Sequence, residues 1–199
     1  PTTIPTEIEG GSTIKVYYVT DDEDVRDLSY TVEYYKDGIH VEGDDQVVTK
    51  SVWSGTNMMP VDVADINVTD KYAGYDFNHS EPTTIPTEIE GGSTIKVYYT
   101  VNSYNYKVSH VYRDADNNVV EELTTTKADE KRDYLSAIAE SPRGPENANG
   151  NFVLSNIEVD SVDESTLQAD EEGNITGTMP AENLTITFYY DAEDRKSVV

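Results

Sequence analysis

Imidazole titrates near neutral pH and binds metals, so the three histidines, His40, His79 and His110, are the first candidates for chemistry. None stands at the spacing of a metal-binding helix pair or beside a nucleophile turn. His110 alternates with Tyr106 and Val108 and therefore faces inward on a strand, as a structural histidine. Asp114-x-Asp116-x-Asn118 matches the opening of a calcium loop, but the sixth and twelfth positions are Val119 and Thr125 where that loop needs Gly and Glu. Asp and Asn also suit the left-handed backbone of a turn, and a turn is expected here. Asp21, Asp22, Glu23, Asp24 and Asp27 form an acidic cluster with no Gly or Asn to shape it. A solvated linker is expected there, with a weak calcium site between repeats as the lesser alternative. Thirty-nine acidic residues place carboxylates near one another by chance alone. Lys107, between inward Tyr106 and Val108, faces outward and so away from any isopeptide bond to Asn183. The reading is no catalytic residue, no cofactor and no metal site.

Tyrosine is the remaining chemistry. Fifteen Tyr stand against three Phe and one Trp. A closing motif, seen as TIKVYY at 13–18 and 94–99 and as LTITFYY at 184–190, alternates so that Tyr18, Tyr99 and Tyr190 point inward. Tyr17, Tyr98 and Tyr189 then point outward, where a rigid amphipathic ring can stack on a sugar face. These three are the candidate ligand-binding residues. The competing expectation is that their rings cover a sheet edge or pack on the neighbouring repeat.

The elements that position these rings belong to a repeat. Residues 1–18, PTTIPTEIEGGSTIKVYY, recur letter for letter at 82–99. The chain is expected to divide into an orphan closing strand and acidic linker (1–29), a first repeat domain (30–101), a second (102–191) and a tail (192–199). Either copy of TIKVYY could fill the closing-strand slot of the first unit. The connector 19–29 is long enough to run back along a strand of about 20 Å. Residues 94–99 are expected to win, because 75–93 lead into the slot, leaving the orphan loosely held or paired with a free edge.

Composition narrows the partners. A net charge of −25 repels nucleic acid and anionic membrane surfaces while keeping an extended array soluble. No apolar run approaches the length of a membrane span. Cysteine is absent, so neither disulfides nor thiol chemistry contribute.

Within the first unit, Tyr30, Val32 and Tyr34 alternate, Asp37-Gly38 signals a two-residue hairpin, and extended runs follow at 39–42, 46–53, 75–77 and 94–101. The stretch 54–70 is ambiguous, with a short helix possible after Pro60. Within the second, the opening strand at 106–112 is followed by a turn at 114–118 and a return at 119–127. Residues 128–140 carry a helical stripe of Tyr134, Leu135, Ile138 and Ala139, with Asp129 near the N-cap. Strands are expected at 152–159, 166–169, 175–178 and 184–191. An opening and a closing strand joined through a crossover lie side by side and parallel, which is a β-grasp-like α+β domain. An all-β sandwich is the alternative.

In the second unit YKVSHVYRDADNNVV, NFVLSNIEVD and GNITGTMPAENLTITFYYD resemble the mucin-binding (MucBP) repeats and the related B-repeats of Gram-positive surface proteins. In the first unit YTVEYYKDG, KYAGYDF and GGSTIKVYY carry the same skeleton. The Gly-Tyr usual before the middle strand is replaced by Asn151-Phe152 in the second unit. The resemblance implies a secreted, wall-attached adhesin on the bacterial surface, without transferring any ligand-contacting residue. Two functions are therefore expected to compete: an array binding host mucin or glycan, and a passive stalk projecting a separate head. An enzyme is a distant third.

Overall fold

The computed structural model describes residues 3, 5–18, 24–66, 68–127, 130–143, 152–161 and 166–193. Among the described residues fifteen strands occur in chain order. They are β1 (Val25–Lys36), β2 (Ile39–His40), β3 (Gln46–Trp53), β4 (Met58–Pro60), β5 (Tyr75–Glu81), β6 (Glu88–Glu90) and β7 (Thr94–Val101). The second half adds β8 (Ser103–Arg113), β9 (Thr125–Thr126), β10 (Glu130–Asp133), β11 (Ala137–Glu140), β12 (Phe152–Asp160), β13 (Leu167–Ala169), β14 (Ile175–Thr178) and β15 (Leu184–Ala192).

Both halves are built on the same frame. β1 pairs in parallel with β7, and β8 in parallel with β15. An antiparallel strand flanks each closing strand on its far side, β5 beside β7 and β12 beside β15. Each flanking strand carries a bulge at the matching place, between Phe77 and His79 and between Leu154 and Asn156. Such an extra residue kinks the strand and strengthens its twist. On the inner side of the first sheet, Tyr30, Val32, Tyr34, Val48, Ile95, Val97 and Tyr99 meet Met59 and Ile66 in one core. Tyr106, Val108, Tyr112, Leu184, Ile186, Phe188 and Tyr190 meet Ile138, Ile175 and Met179 in another. The β4–β6 ribbon lies in the first half, and a β11–β14–β13 sheet takes its place in the second. Alternation writes both closing strands: every second residue is buried from Ile95 to Tyr99 in β7 and from Leu184 to Tyr190 in β15.

The chain is mostly β, and among the described residues there is no α-helix. The helix expected over 128–140 is instead strand β10, a turn and strand β11. Residues 128 and 129 lie outside the described set. The open edge of β8 claims Glu130–Asp133, and β14 claims Ala137–Glu140. Leu135, part of the helical stripe, sits in the turn with φ of 64°. Pairing with an edge already in place outweighs a helix propensity worth tenths of a kcal/mol per residue. The possible helix after Pro60 is only a 3-10 turn, Val63–Asp65, with Asp62 capping Ala64.

The strand frame begins earlier than the alternation suggests. Residues Val25–Ser29, expected in the linker, pair with Thr49–Trp53. That leaves 19–24 as connector, and Asp21, Asp22 and Glu23 of the acidic cluster lie outside the described residues. Of the rest, Asp27 accepts from Ser51 and Asp24 from Ser54, so both serve the β3 end. The shorter connector also settles which copy fills the slot. Tyr99 pairs with Lys36 at the far end of β1, eleven residues from Val25, or about 36 Å. From Tyr18 back to Val25 the chain reaches about 25 Å at most. The orphan cannot enter its own chain's slot.

The two copies of the repeated peptide accordingly differ. Val97 and Ile95 are fully buried and Tyr99 is 1% exposed. Ile14, Val16 and Tyr18, the same residues in the first copy, are 42%, 53% and 91% exposed and in no strand. The turn before them is the same in both. Ser12 donates to Glu9 and Ser93 to Glu90, each at 3.1 Å, with Gly11 and Gly92 at φ of 89° and 87°.

The halves meet at a small joint. Asn102 donates to the Gly74 carbonyl and Tyr134 to the Asn102 carbonyl, both at 2.9 Å. The Tyr134 ring lies against Gly74, whose φ is 73°, and meets Tyr75 edge-on at 6.1 Å. A side chain at Gly74 would collide with that ring.

Candidate functional site

The outer face of the first sheet is paved with rings. Alternation along β1 puts Tyr34 in the core and Tyr35 outside, and along β7 it puts Tyr99 in and Tyr98 out. Parallel register sets Tyr35 directly against Tyr98. The Asp37-Gly38 hairpin, with φ of 47° and 80°, brings His40 beside Tyr35, and the bulge in β5 brings His79 beside Tyr98. The result is a four-ring ladder across four strands. His40 stacks on Tyr35 at 4.9 Å, Tyr35 on Tyr98 at 4.7 Å, and Tyr98 on His79 at 4.4 Å with the last two planes only 5° apart. Parallel strands seldom leave a face bare to water, and the ladder covers this one.

Carboxylates hold the polar ends of the ladder. The Tyr35 hydroxyl donates to Glu33 at 2.8 Å, the Tyr98 hydroxyl donates to Glu81 at 3.1 Å, and His40 Nε2 lies 2.8 Å from Asp45. The bond to Glu33 pushes the Tyr35 hydroxyl up to about 12, and desolvation followed by the Glu81 bond raises that of Tyr98. Both tyrosines stay neutral donors throughout the physiological range. Lys96 reaches over Tyr35 at 5.7 Å.

The second sheet repeats part of this. Tyr189 matches Tyr98, and its hydroxyl donates to Glu158 at 2.9 Å, as Tyr98 does to Glu81. That bond is the main reason its hydroxyl titrates high. Where the first sheet has Tyr35 and His79 opposite Tyr98, the second has Val111 and Asn156 opposite Tyr189. No ladder forms; Arg113 instead covers the Tyr189 ring at 4.8 Å while bonding Asp191 at 2.8 Å and Ser155 at 3.1 Å.

Tyr98 and Tyr189 thus stand on the outward faces of separate sheets, and the structure does not bring them together. Tyr17 is 83% exposed in the unpaired copy. Tyr35, His40 and His79 join Tyr98, although from the sequence the two histidines were weighed only for catalysis and metal binding and Tyr35 was not singled out. The Tyr34-Tyr35 doublet, analogous to Tyr98-Tyr99, was a usable signal for the first; the two histidines depend on a hairpin and a bulge.

The remaining chemical candidates resolve into structure. His110 aligns with Tyr34 of the first half, stacks on Phe188 at 5.0 Å, and its Nδ1 lies 2.9 Å from the Tyr190 hydroxyl. Burial, reinforced by Arg143, lowers its titration to about 4, so the ring is neutral at physiological pH. Asp114 turns its carboxylate inward on its own loop, accepting from the backbone N–H of Asp116 at 3.0 Å and of Asn118 at 2.8 Å. Those bonds hold it below the usual carboxylate range and make the segment an Asx-type turn. Asp170 does the same with Asn174. Asn183 accepts from the Asn105 N–H at 2.9 Å. Among the described residues no three His, Asp or Glu side chains converge as a metal site would require, and no helix is long and apolar enough to cross a membrane.

No family model matches the chain, and no curated protein does. The solved structures similar to it include the following two. One is the crystal structure of Mub-RV, 14% identical, covering 84% of this chain and all of that one, with a TM-score of 0.24. The other is the type 2 repeat of the mucus binding protein MUB from Lactobacillus reuteri, 11% identical, covering 83% of this chain and all of that one, with a TM-score of 0.24.

Proposed function

We propose that this chain is a non-catalytic repeat region of an adhesin on the surface of a Gram-positive bacterium, attached to the cell wall through residues elsewhere in the protein. The observation carrying this reading is the repeat itself. Two β units, with strands running from Val25 to Val101 and from Ser103 to Ala192, each have their own core and parallel closing strand, and an 18-residue peptide is duplicated without change. Such duplication adds length and copies of a surface rather than a catalytic centre. The resemblance of the strand and turn sequences to mucin-binding repeats supports host mucin or a related glycan as the ligand. Tyr98 and Tyr189, on outward faces and rimmed by Glu81 and Glu158, are the contacts proposed for it, with Tyr17 as the third.

A specific observation also favours the spacer reading. Tyr35 and His79 cover both faces of the Tyr98 ring, and its hydroxyl is spent on Glu81. A sugar stacking on Tyr98 would first have to part that ladder. Binding of the unmodified chain to immobilised mucin, and its loss in Tyr98→Ala and Tyr189→Ala, tests the adhesive reading; no binding by the unmodified chain leaves the spacer.

A further inference from the structure

Residues 5–18 repeat a closing peptide that, among the described residues, pairs with no strand. Their Glu9–Ser12 turn is already formed, and Ile14, Val16 and Tyr18 form an exposed apolar row beyond it. The same eighteen residues, seated at 82–99, show what such a row fits. β6 pairs with β4, and β7 lies between β1 and β5, with Thr94–Tyr99 in register with Thr31–Lys36. There Ile95, Val97 and Tyr99 enter a core made by Tyr30, Val32, Tyr34 and Met59.

We propose that residues 5–18 are a β-strand donor, and that their partner is a module body of the kind formed by residues 24–81, lacking its own closing strand. The donor cannot serve the first unit of its own chain, because the 19–24 connector spans only about 25 Å of the roughly 36 Å it would need. A second intact copy is a poor receptor as well. Its slot holds an identical peptide, so contact energies cancel, and the tethered strand wins by an effective concentration of about a millimolar. An open body is left as the receptor that gains from the union. A peptide of strand-like alternation with a bare apolar row is otherwise an aggregation hazard, which such a receptor removes. This holds whether the array binds a ligand or only spaces one.

The duplication supplies the test. Placing a copy of residues 24–81 directly before residue 1 of the full chain makes the sequence read 24–99 without a break. Hydrogen exchange is followed on peptides that run into the differing flanks, Val19-Thr20 and Thr100-Val101. Amides at 13–18, freely exchanging in the original chain, are expected to slow by at least about 1000-fold, matching 94–99 in the same molecule. A Val16→Asp, Tyr18→Ala version of the extended chain is expected to lose that protection, while the same changes in the original chain leave its unfolding midpoint unmoved. Free exchange at 13–18 beside protected 94–99 overturns the proposal, and so does a shifted midpoint in the original chain.

Discussion

His110 makes the second half of the molecule acid-sensitive. Its ring stacks on Phe188, lies 2.9 Å from the Tyr190 hydroxyl through Nδ1, and feels the charges of Arg143 and Glu140. Burial, then Arg143, lowers its titration to about 4 from an ordinary 6.5, with Glu140 opposing weakly. The unfolded chain therefore binds a proton below pH 6.5 that the folded chain refuses until about pH 4. Stability is complete above pH 6.5 and falls across that window as the pH drops. Between pH 7 and pH 5 the linkage amounts to about 2 kcal/mol, which partial solvent access reduces to roughly 1–2 kcal/mol. For a unit of this size that is about 5–10 °C in the midpoint. His110→Phe keeps the stack and removes the titration. Tyr190 still accepts from the Arg143 N–H, so its hydroxyl loses only the contact with the imidazole. The assay is thermal unfolding of both proteins at pH 7 and pH 5, read by tyrosine near-ultraviolet dichroism. Trp53, the sole tryptophan, lies on β3 of the first sheet and serves as the internal reference. The variant is expected to lose most of the pH 7-to-5 drop, with the Trp53 transition alike in both proteins. Asp114 and Asp170, held below the carboxylate range, do not titrate in this window. Equal drops in variant and parent would refute the assignment of acid sensitivity to His110.

Two other perturbations are decided by the same coordinates. Tyr99→Ala empties a core position and is expected to cost about 3–5 kcal/mol in denaturant unfolding, whereas Tyr18→Ala, an identical residue in the identical peptide, changes stability by less than about 0.5 kcal/mol. Gly74→Ala combines a φ of 73° with a collision against the Tyr134 ring, and is expected to destabilise by about 1–3 kcal/mol and to speed hydrogen exchange at the Asn102 and Tyr134 amides.

Much of the frame was legible because a half-buried strand writes its burial into every second residue. The expected runs at 46–53 and 94–101 coincide with β3 and β7, and the Asp37-Gly38 turn stands where its residues require positive φ. The parallel pairing of opening and closing strands followed from the need to join them by a crossover. The 128–140 segment was not legible, since a stripe at helical spacing says nothing of the β8 and β14 edges waiting to pair with it. The outward positions of Tyr98 and Tyr189 were readable from alternation. The ladder was not, because stacking of His40 and His79 needs a hairpin and a bulge to bring distant residues within ring contact.

The duplicated peptide separates the two kinds of information within one molecule. Its glycine turn forms in both copies, with the same hydrogen bond and nearly the same φ, because the turn's hydrogen bond closes within four residues. Its strand forms in only one. A strand's hydrogen bonds and apolar contacts lie with other strands, and only residues 82–99 are tethered where β1 and β5 can supply them. Local chemistry was determined by eighteen letters; the burial of Tyr99 and the exposure of Tyr18 were decided by what the rest of the chain can reach.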